Sequence, residues 1–236
     1  MTITSPTNRH LKEIRKLGRS AARADTGRFV AEGEDLYAAA RAAGVSAVYV
    51  LCTPGLAERR SDWQETDAAL LKQVSRLASG TRVIAVFEER WASPVGPLAV
   101  ALWGVGDPGN VGTTIRAAHA FGASCVALGP DCADPYGPKA VRASMGAIFA
   151  TPLSQVSNVA ELPGELIALV PGEHGSLRGP LHDVTLVIGG ERDGLPAEVL
   201  ANCDRICSIP QAAGDSLNAA MAATVALYEA TRMAAP

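Results

Sequence analysis

The chain has 236 residues, 48% of them hydrophobic, and a formal net charge of −3 at neutral pH. That length fits one large domain or two modest ones, and the apolar fraction is ample for a buried core, which excludes a disordered chain. No apolar run approaches the roughly 20 residues that cross a bilayer, so no membrane partner is expected, and the opening stretch from Met1 to Lys16 lacks the apolar segment of a secretory signal. Five cysteines (Cys52, Cys125, Cys132, Cys203 and Cys207) form no CxxC pair and are odd in number. Reduced thiols in a cytoplasmic protein are the simplest account, and no metal site is expected from them.

The charge is unevenly spread. Residues 1–28 hold Arg9, Lys12, Arg15, Lys16, Arg19, Arg23 and Arg28 against Glu13 and Asp25, so the remainder is distinctly acidic. Phosphate attraction acts over about a Debye length, roughly 8–10 Å, so a local basic patch can hold RNA on an acidic protein. A solvated basic helix is the alternative reading of the same residues.

In chain order, Asn8 to Arg19 reads as an amphipathic helix, with Leu11, Ile14 and Leu17 on one stripe and the basic residues opposite. Phe29-Val30-Ala31 is a short strand, Asp35 to Ala43 a helix ending at Gly44, and Val45 to Leu51 a strand closed by Pro54-Gly55. Ala68 to Ala78 predicts a helix and Arg82 to Phe87 a strand, completing a small α/β domain over residues 1–90. Ser93-Pro94 and Gly96-Pro97 mark 91–97 as a linker, and a second α/β domain follows over 98–236. Its strands are Leu98–Trp103, Cys125–Leu128, Leu166–Val170, Thr185–Ile188 and Arg205–Ile209, and its helices Val111–Phe121, Pro138–Gly146 and Leu217–Arg232. Continuous apolar strands of this kind are buried on both faces, as in a parallel sheet.

Three segments of the second domain can carry chemistry. Asp107-Pro108-Gly109-Asn110 leads into a helix whose mouth holds Asn110, with Arg116 more than a turn inside. Gly104 to Gly109 also matches GxGxxG, but a dinucleotide-binding helix would be opening where Asp107-Pro108 stands. The strand at Leu186–Ile188 ends in Gly189-Gly190-Glu191-Arg192-Asp193-Gly194, a loop at the carboxyl end of a strand, where open α/β sheets bind ligands. It also reads as an ordinary left-handed turn with a solvated Glu191. The strand at Ile206–Ile209 is followed by Ser216-Leu217-Asn218 and a helix rich in small residues, for which Ser216 is a natural N-cap.

Taken together and in this order, DPGNVGTTIRAAHAFGA, LVIGGERDGLP and SIPQAAGDSLNAAMAA resemble the three signature motifs of the SpoU–TrmH (SPOUT) RNA methyltransferases. Pro138 to Gly146 resembles the segment between the first two motifs, and ITSPTNRHLKEIRKL with GRFVAEGEDL resembles the family's accessory substrate-binding domain, related to a ribosomal-protein fold. The departures are Gly190, Arg192, His119 and Gln211, none of which removes a principal polar group.

The resemblance implies a carboxyl-terminal α/β domain with a parallel sheet and a deep trefoil knot, a homodimer formed through that domain, and S-adenosyl-L-methionine as cofactor. It implies methylation of a ribose 2′-hydroxyl in RNA, ribosomal rather than transfer RNA because of the accessory domain; a transfer-RNA methylase and a catalytically inactive RNA-binding knot protein are the alternatives. By motif match, Gly189, Glu191, Ile209, Ser216, Leu217 and Asn218 are the cofactor-binding candidates, and Arg116, Asn110, Glu191, Ser216 and Asn218 the catalytic ones. Arg9, Lys12, Arg15, Lys16, Arg19 and Arg23 are the RNA-binding candidates. Arg116 is the family's activator, yet a guanidinium stays protonated and is a poor base, so its expected part is to bind phosphate and the developing alkoxide.

Overall fold

The fold is that of a computed structural model and is described for residues 2–56, 63–172, 174–213 and 216–232. Gly214 and Asp215 of the third motif lie outside these residues. The amino-terminal part runs α1 (Arg9–Leu17), α2 (Ser20–Thr26), β1 (Arg28–Glu32), α3 (Glu34–Ala42), β2 (Tyr49–Cys52), β3 (Trp63–Glu65), α4 (Ala68–Val74) and β4 (Val83–Glu88). Its sheet has the order β1-β4-β2-β3, with only the β2–β3 pair parallel. Side chains alternate across a strand, and β4 shows the result. Ile84 and Val86 face α1 and α4, with Leu11, Ile14, Leu17, Leu70 and Leu71, while Val83, Ala85 and Phe87 face the other way, toward α3 and the second half of the chain.

The second half runs β5 (Leu98–Trp103), α5 (Pro108–Ala120), β6 (Cys125–Leu128), α6 (Pro138–Ala143), β7 (Leu153–Gln155), β8 (Glu165–Leu169), β9 (Gly175–Ser176), β10 (Val184–Gly189), α7 (Ala197–Ala201), β11 (Arg205–Ser208) and α8 (Ala219–Thr231). Seven strands form one sheet in the order β7-β6-β5-β10-β8-β11-β9, and every pairing in it is parallel. Leu98, Val100 and Leu102 of β5 and Leu186 and Ile188 of β10 pack under α5 and α8, whereas Ala101, Trp103 and Val187 pack on the opposite layer with Val159, Leu195 and Val199. Both faces are therefore covered, which is why these strands read as unbroken apolar runs.

The two sheets share a core. The Phe29 ring packs at a tilt on Tyr136 at 4.8 Å and Phe87 on Phe149 at 4.8 Å, joining β1 and β4 to the loops around α6. The expected linker at 91–97 is not a free tether: Trp91 bridges to Leu153, and the amide of Ala92 donates to the Leu153 carbonyl at 2.8 Å. Arg23 corrects the sequence reading. Its basic neighbours place it among the RNA-binding candidates, but it is only 5% exposed. Its Nε and Nη2 donate to Asp134 Oδ2 at 2.8 and 2.5 Å, and Nη1 donates to the Leu17 carbonyl at 2.8 Å. A buried guanidinium needs such a partner, and this one clamps α2 to the loop after β6. Sequence reasoning also missed α2, β3, β7, β9 and α7, all of seven residues or fewer, too short for periodicity to register.

Gly112 explains how α5 and α6 approach. A Cβ there would lie 2.3 Å from the Ala140 carbonyl oxygen and 2.7 Å from the Ala143 Cβ. Glycine to alanine inside a helix ordinarily stabilises by about 0.5–1 kcal/mol, but overpacking costs about 1–3 kcal/mol, and here backbone would have to move. Gly112→Ala is expected to lower Tm by about 3–8 °C in calorimetry; an unchanged or raised Tm would mean that α6 yields freely.

Candidate active site

In the sheet, β10, β8 and β11 are consecutive neighbours, so their carboxyl ends lie side by side and their loops must meet. They enclose a cavity of about 310 Å³, lined by Leu169 at the end of β8 and Val170 after it, Ile188 and Gly189 from β10, and Ile209 and Leu217 after β11. Glu191 and Ser216 supply polar groups to the wall. Open parallel sheets bind ligands at this edge. The loop after β8 was not among the sequence candidates, although its Val170-Pro171-Gly172 turn follows an apolar strand and that same edge rule would have found it.

The loop after β10 folds back on itself through bare backbone. The amide of Gly194 donates to the Gly190 carbonyl at 3.0 Å, with Gly194 at φ +65°. A Cβ on Gly189 would lie 2.4 Å from the Gly194 carbonyl carbon, and one on Gly190 would lie 2.3 Å from the Gly104 carbonyl oxygen. Gly189 is thus a packing requirement within the loop of β10, and Gly190 one between the loops of β10 and β5, beyond any turn preference.

At the rim, three of the expected polar residues join in one chain. Asn218 is the N-cap of α8, its Oδ1 accepting from the amides of Ala220 and Met221 at 3.0 and 3.2 Å. Capping therefore fixes which way its amide points, leaving Nδ2 to donate to Asn110 Oδ1 at 3.0 Å. The Asn110 amide is oriented in turn, and its Nδ2 donates to Glu191 Oε1. Ser216, read as the N-cap from sequence, is not the cap. It lines the cavity two residues earlier, because the helix opens at Ala219 and only Asn218 is placed to cap it.

Asp107 secures the other side. Its Oδ1 accepts from the amides of Gly109 and Asn110 at 2.6 and 3.1 Å, capping α5, and its Oδ2 accepts from Lys139 Nζ at 2.7 Å. The hydrogen bond from Lys139 first, helped by those two amides, holds the Asp107 carboxyl below its ordinary value against the opposing effect of burial. This gives the segment around α6 a role that its sequence did not declare: Lys139 ties it to the turn that presents Asn110.

Arg116 stands apart. It lies on the exposed side of α5, does not line the cavity, and forms no ion pair among the described residues. Arg9, Lys12, Arg15, Lys16 and Arg19 are exposed on the face of α1 and its C-terminal end opposite Leu11, Ile14 and Leu17, as the amphipathic pattern predicts.

A parallel α/β sheet with a glycine-walled cavity at its carboxyl edge and a fixed asparagine–asparagine–glutamate chain beside it defines a ligand-binding protein of the α/β class. The chain belongs to the SpoU rRNA Methylase family, whose sequence model matches residues 97–228. It is 32% identical to an uncharacterized tRNA/rRNA methyltransferase of Synechocystis sp., over 98% of this chain and 93% of that one. It is 41% identical to the 23S rRNA (uridine(2479)-2'-O)-methyltransferase of Streptomyces viridochromogenes, over 53% of this chain and 49% of that one. Among solved structures it is similar to the AdoMet-bound rRNA methyltransferase from Sinorhizobium meliloti, with a TM-score of 0.87 and 30% identity, covering 98% of this chain and 97% of the other.

The orienting chain makes a separable prediction. Asn218→Ala removes a cap as well as the bond to Asn110 and is expected to cost about 1 kcal/mol of stability or more, whereas Asn218→Asp keeps the cap and is expected to cost less. Both variants remove the donor to Asn110, so both are expected to shift the Asn110 side-chain amide signals in a ¹⁵N–¹H spectrum. Unmoved signals in the aspartate variant would show that Asn218 does not orient Asn110.

Proposed function

We propose that this protein transfers a methyl group from S-adenosyl-L-methionine to a ribose 2′-hydroxyl of RNA, with ribosomal RNA as substrate. The observation that carries this reading is the cavity bounded by Gly189, Ile209 and Leu217, residues that motif matching alone had assigned to one cofactor site. The donor set fits the cofactor. Leu169, Ile188, Ile209 and Leu217 offer an apolar slot for a flat purine, bare glycine backbone permits close approach, and Glu191 supplies negative charge for a sulfonium. When bound, the cofactor supplies an already activated methyl electrophile, so the protein's tasks are alignment and handling of the hydroxyl proton.

Asn110, held by Asn218 and Glu191, is suited to orient the ribose at the rim. Arg116 has no carboxylate partner among the described residues, and its exposed guanidinium is free to hold the adjacent phosphate and the oxygen as it loses its proton. The proton itself passes to phosphate or water, since arginine does not act as a base at neutral pH. Arg9, Lys12, Arg15, Lys16 and Arg19 form the electrostatic footprint of an amino-terminal RNA-binding unit, residues 1–90, ahead of a catalytic unit at 98–236.

The reading extends to assembly and location. Met221, Val225 and Tyr228 stand exposed at 62%, 41% and 54% along one side of α8, a stripe with the spacing of a helix interface, and it supports pairing of two copies through the carboxyl-terminal unit. The family likeness supports a trefoil knot in the same unit. An RNA substrate supports a cytoplasmic location, and among the described residues no helix is long and apolar enough to cross a membrane.

Arg116→Ala is expected to lower methyl transfer to ribosomal RNA about a hundredfold or more, with cofactor affinity by calorimetry near the parent value. Collapse of cofactor affinity with turnover preserved at saturation would refute that role, and absence of any cofactor-dependent ribose methylation in ribosomal RNA would refute the activity. Light scattering is expected to give about twice the 24.4 kDa chain mass, and a strict monomer would contradict the pairing.

A further inference from the structure

A second cavity, of about 540 Å³, opens where the two sheets meet. Its walls include Ser20 and Ala24 of α2, Glu89 and Trp91 after β4, Asp134 after β6 and Gln155 at the end of β7. Trp91 is 36% exposed there, against 6% for Trp103. The indole is nonetheless fixed: its Nε1 donates to Glu89 Oε2 at 3.2 Å, and it meets the Tyr136 ring edge-on at 5.2 Å. Asp134 is fully engaged, by Arg23 on one oxygen and by the Tyr136 amide on the other. Glu89 is not, because its Oε1 takes no hydrogen bond among the described residues. Burial raises the Glu89 carboxyl above its ordinary value, which marks a group shielded from water, where hydrogen bonds count for more.

The cavity sits between the two parts of the proposed RNA path. Ser20 on its wall directly follows Arg19, the last exposed cation at the end of α1. Gln155 ends β7, and Asp134 lies beyond β6, both at the carboxyl edge that carries the active site. β7 and β10 are three strand steps apart, about 14 Å at roughly 4.8 Å per step. That is about four stacked nucleotides.

We infer that this cavity receives an unpaired guanine of the RNA substrate a few nucleotides from the methylated ribose, stacked on Trp91 and read by Glu89. The inference rests on RNA being the substrate. Guanine alone presents two adjacent donors, N1–H and N2–H, which a carboxylate accepts in parallel; the corresponding edges of adenine, cytosine and uracil each place an acceptor beside a single donor. Gln155 has an amide able to donate to the guanine O6. Aromatic platforms of this kind are how proteins hold splayed bases of single-stranded RNA.

The test uses the full chain with three hexanucleotides, UUUGUU, UUUUUU and the inosine version of the first, which lacks the N2 amine. UUUGUU is expected to quench tryptophan emission, to bind about tenfold more tightly than the inosine version by fluorescence polarisation, and to lose about tenfold in affinity on Trp91→Ala. Trp91→Phe is expected to abolish the quench while keeping affinity within about threefold. Glu89→Gln, with an unchanged Tm, is expected to remove the preference for guanosine over inosine. Equal affinities for all three oligonucleotides, a quench that survives Trp91→Phe, or emission that responds to protein concentration and not to RNA would each overturn the inference. Methyl transfer by the parent protein separates the two claims. If ribosomal RNA is methylated without any guanosine preference, only the pocket falls; if UUUGUU binds as expected and no ribose is methylated, only the catalytic reading falls.

Discussion

The loops leaving β5 and β10 meet backbone to backbone, with the Gly104 carbonyl against the α-carbon of Gly190, and the site is built around that contact. Any side chain at Gly190 would push the loops apart, and Glu191, one residue further on, would leave the reach of Asn110 on the helix that follows β5. The contact is possible because β5 and β10 are hydrogen-bonded neighbours over their whole length, from Leu98 opposite Val184 to Trp103 opposite Gly189. Strand register thus fixes the loops, and the loops fix the polar chain.

Two further supports hold that arrangement. Asn218 acts twice, as the cap of α8 and as the donor that orients Asn110, so the start of a helix and the orientation of a site residue are set by one side chain. Lys139 does something similar from α6, tying down the Asp107 carboxylate that caps α5. Neither Lys139 nor Asp107 needs to touch a substrate to matter; each limits where Asn110 can be. The shared core and the Arg23–Asp134 pair extend the same economy to the amino-terminal sheet, which is seated against the second sheet by burial and by an ion pair whose arginine is buried.

Much of this was legible in advance. The strands β5 and β6 fall where unbroken apolar runs placed them, and the amphipathic stripe of α1 separates Leu11, Ile14 and Leu17 from its cations as read. Gly189, Ile209 and Leu217 do line one cavity. Two readings differ from the structure, each for its own reason. Arg23 looked like its basic neighbours because sequence carries charge but not burial, and its partner Asp134 is 111 residues away. Ser216 looked like the cap because serine caps well, whereas Asn218, two residues on, was placed to do so.

The sequence by itself determined the α/β class, the positions of the long elements, the basic amino-terminal face and the family, because periodicity, composition and motif order are properties of neighbouring residues. Only the tertiary structure decided that Asn110, Glu191 and Asn218 form one hydrogen-bonded chain, that Arg116 lies outside the cavity and that Arg23 is buried. Those facts depend on strand order, which brings residues about a hundred positions apart into contact through backbone hydrogen bonds that no local pattern encodes.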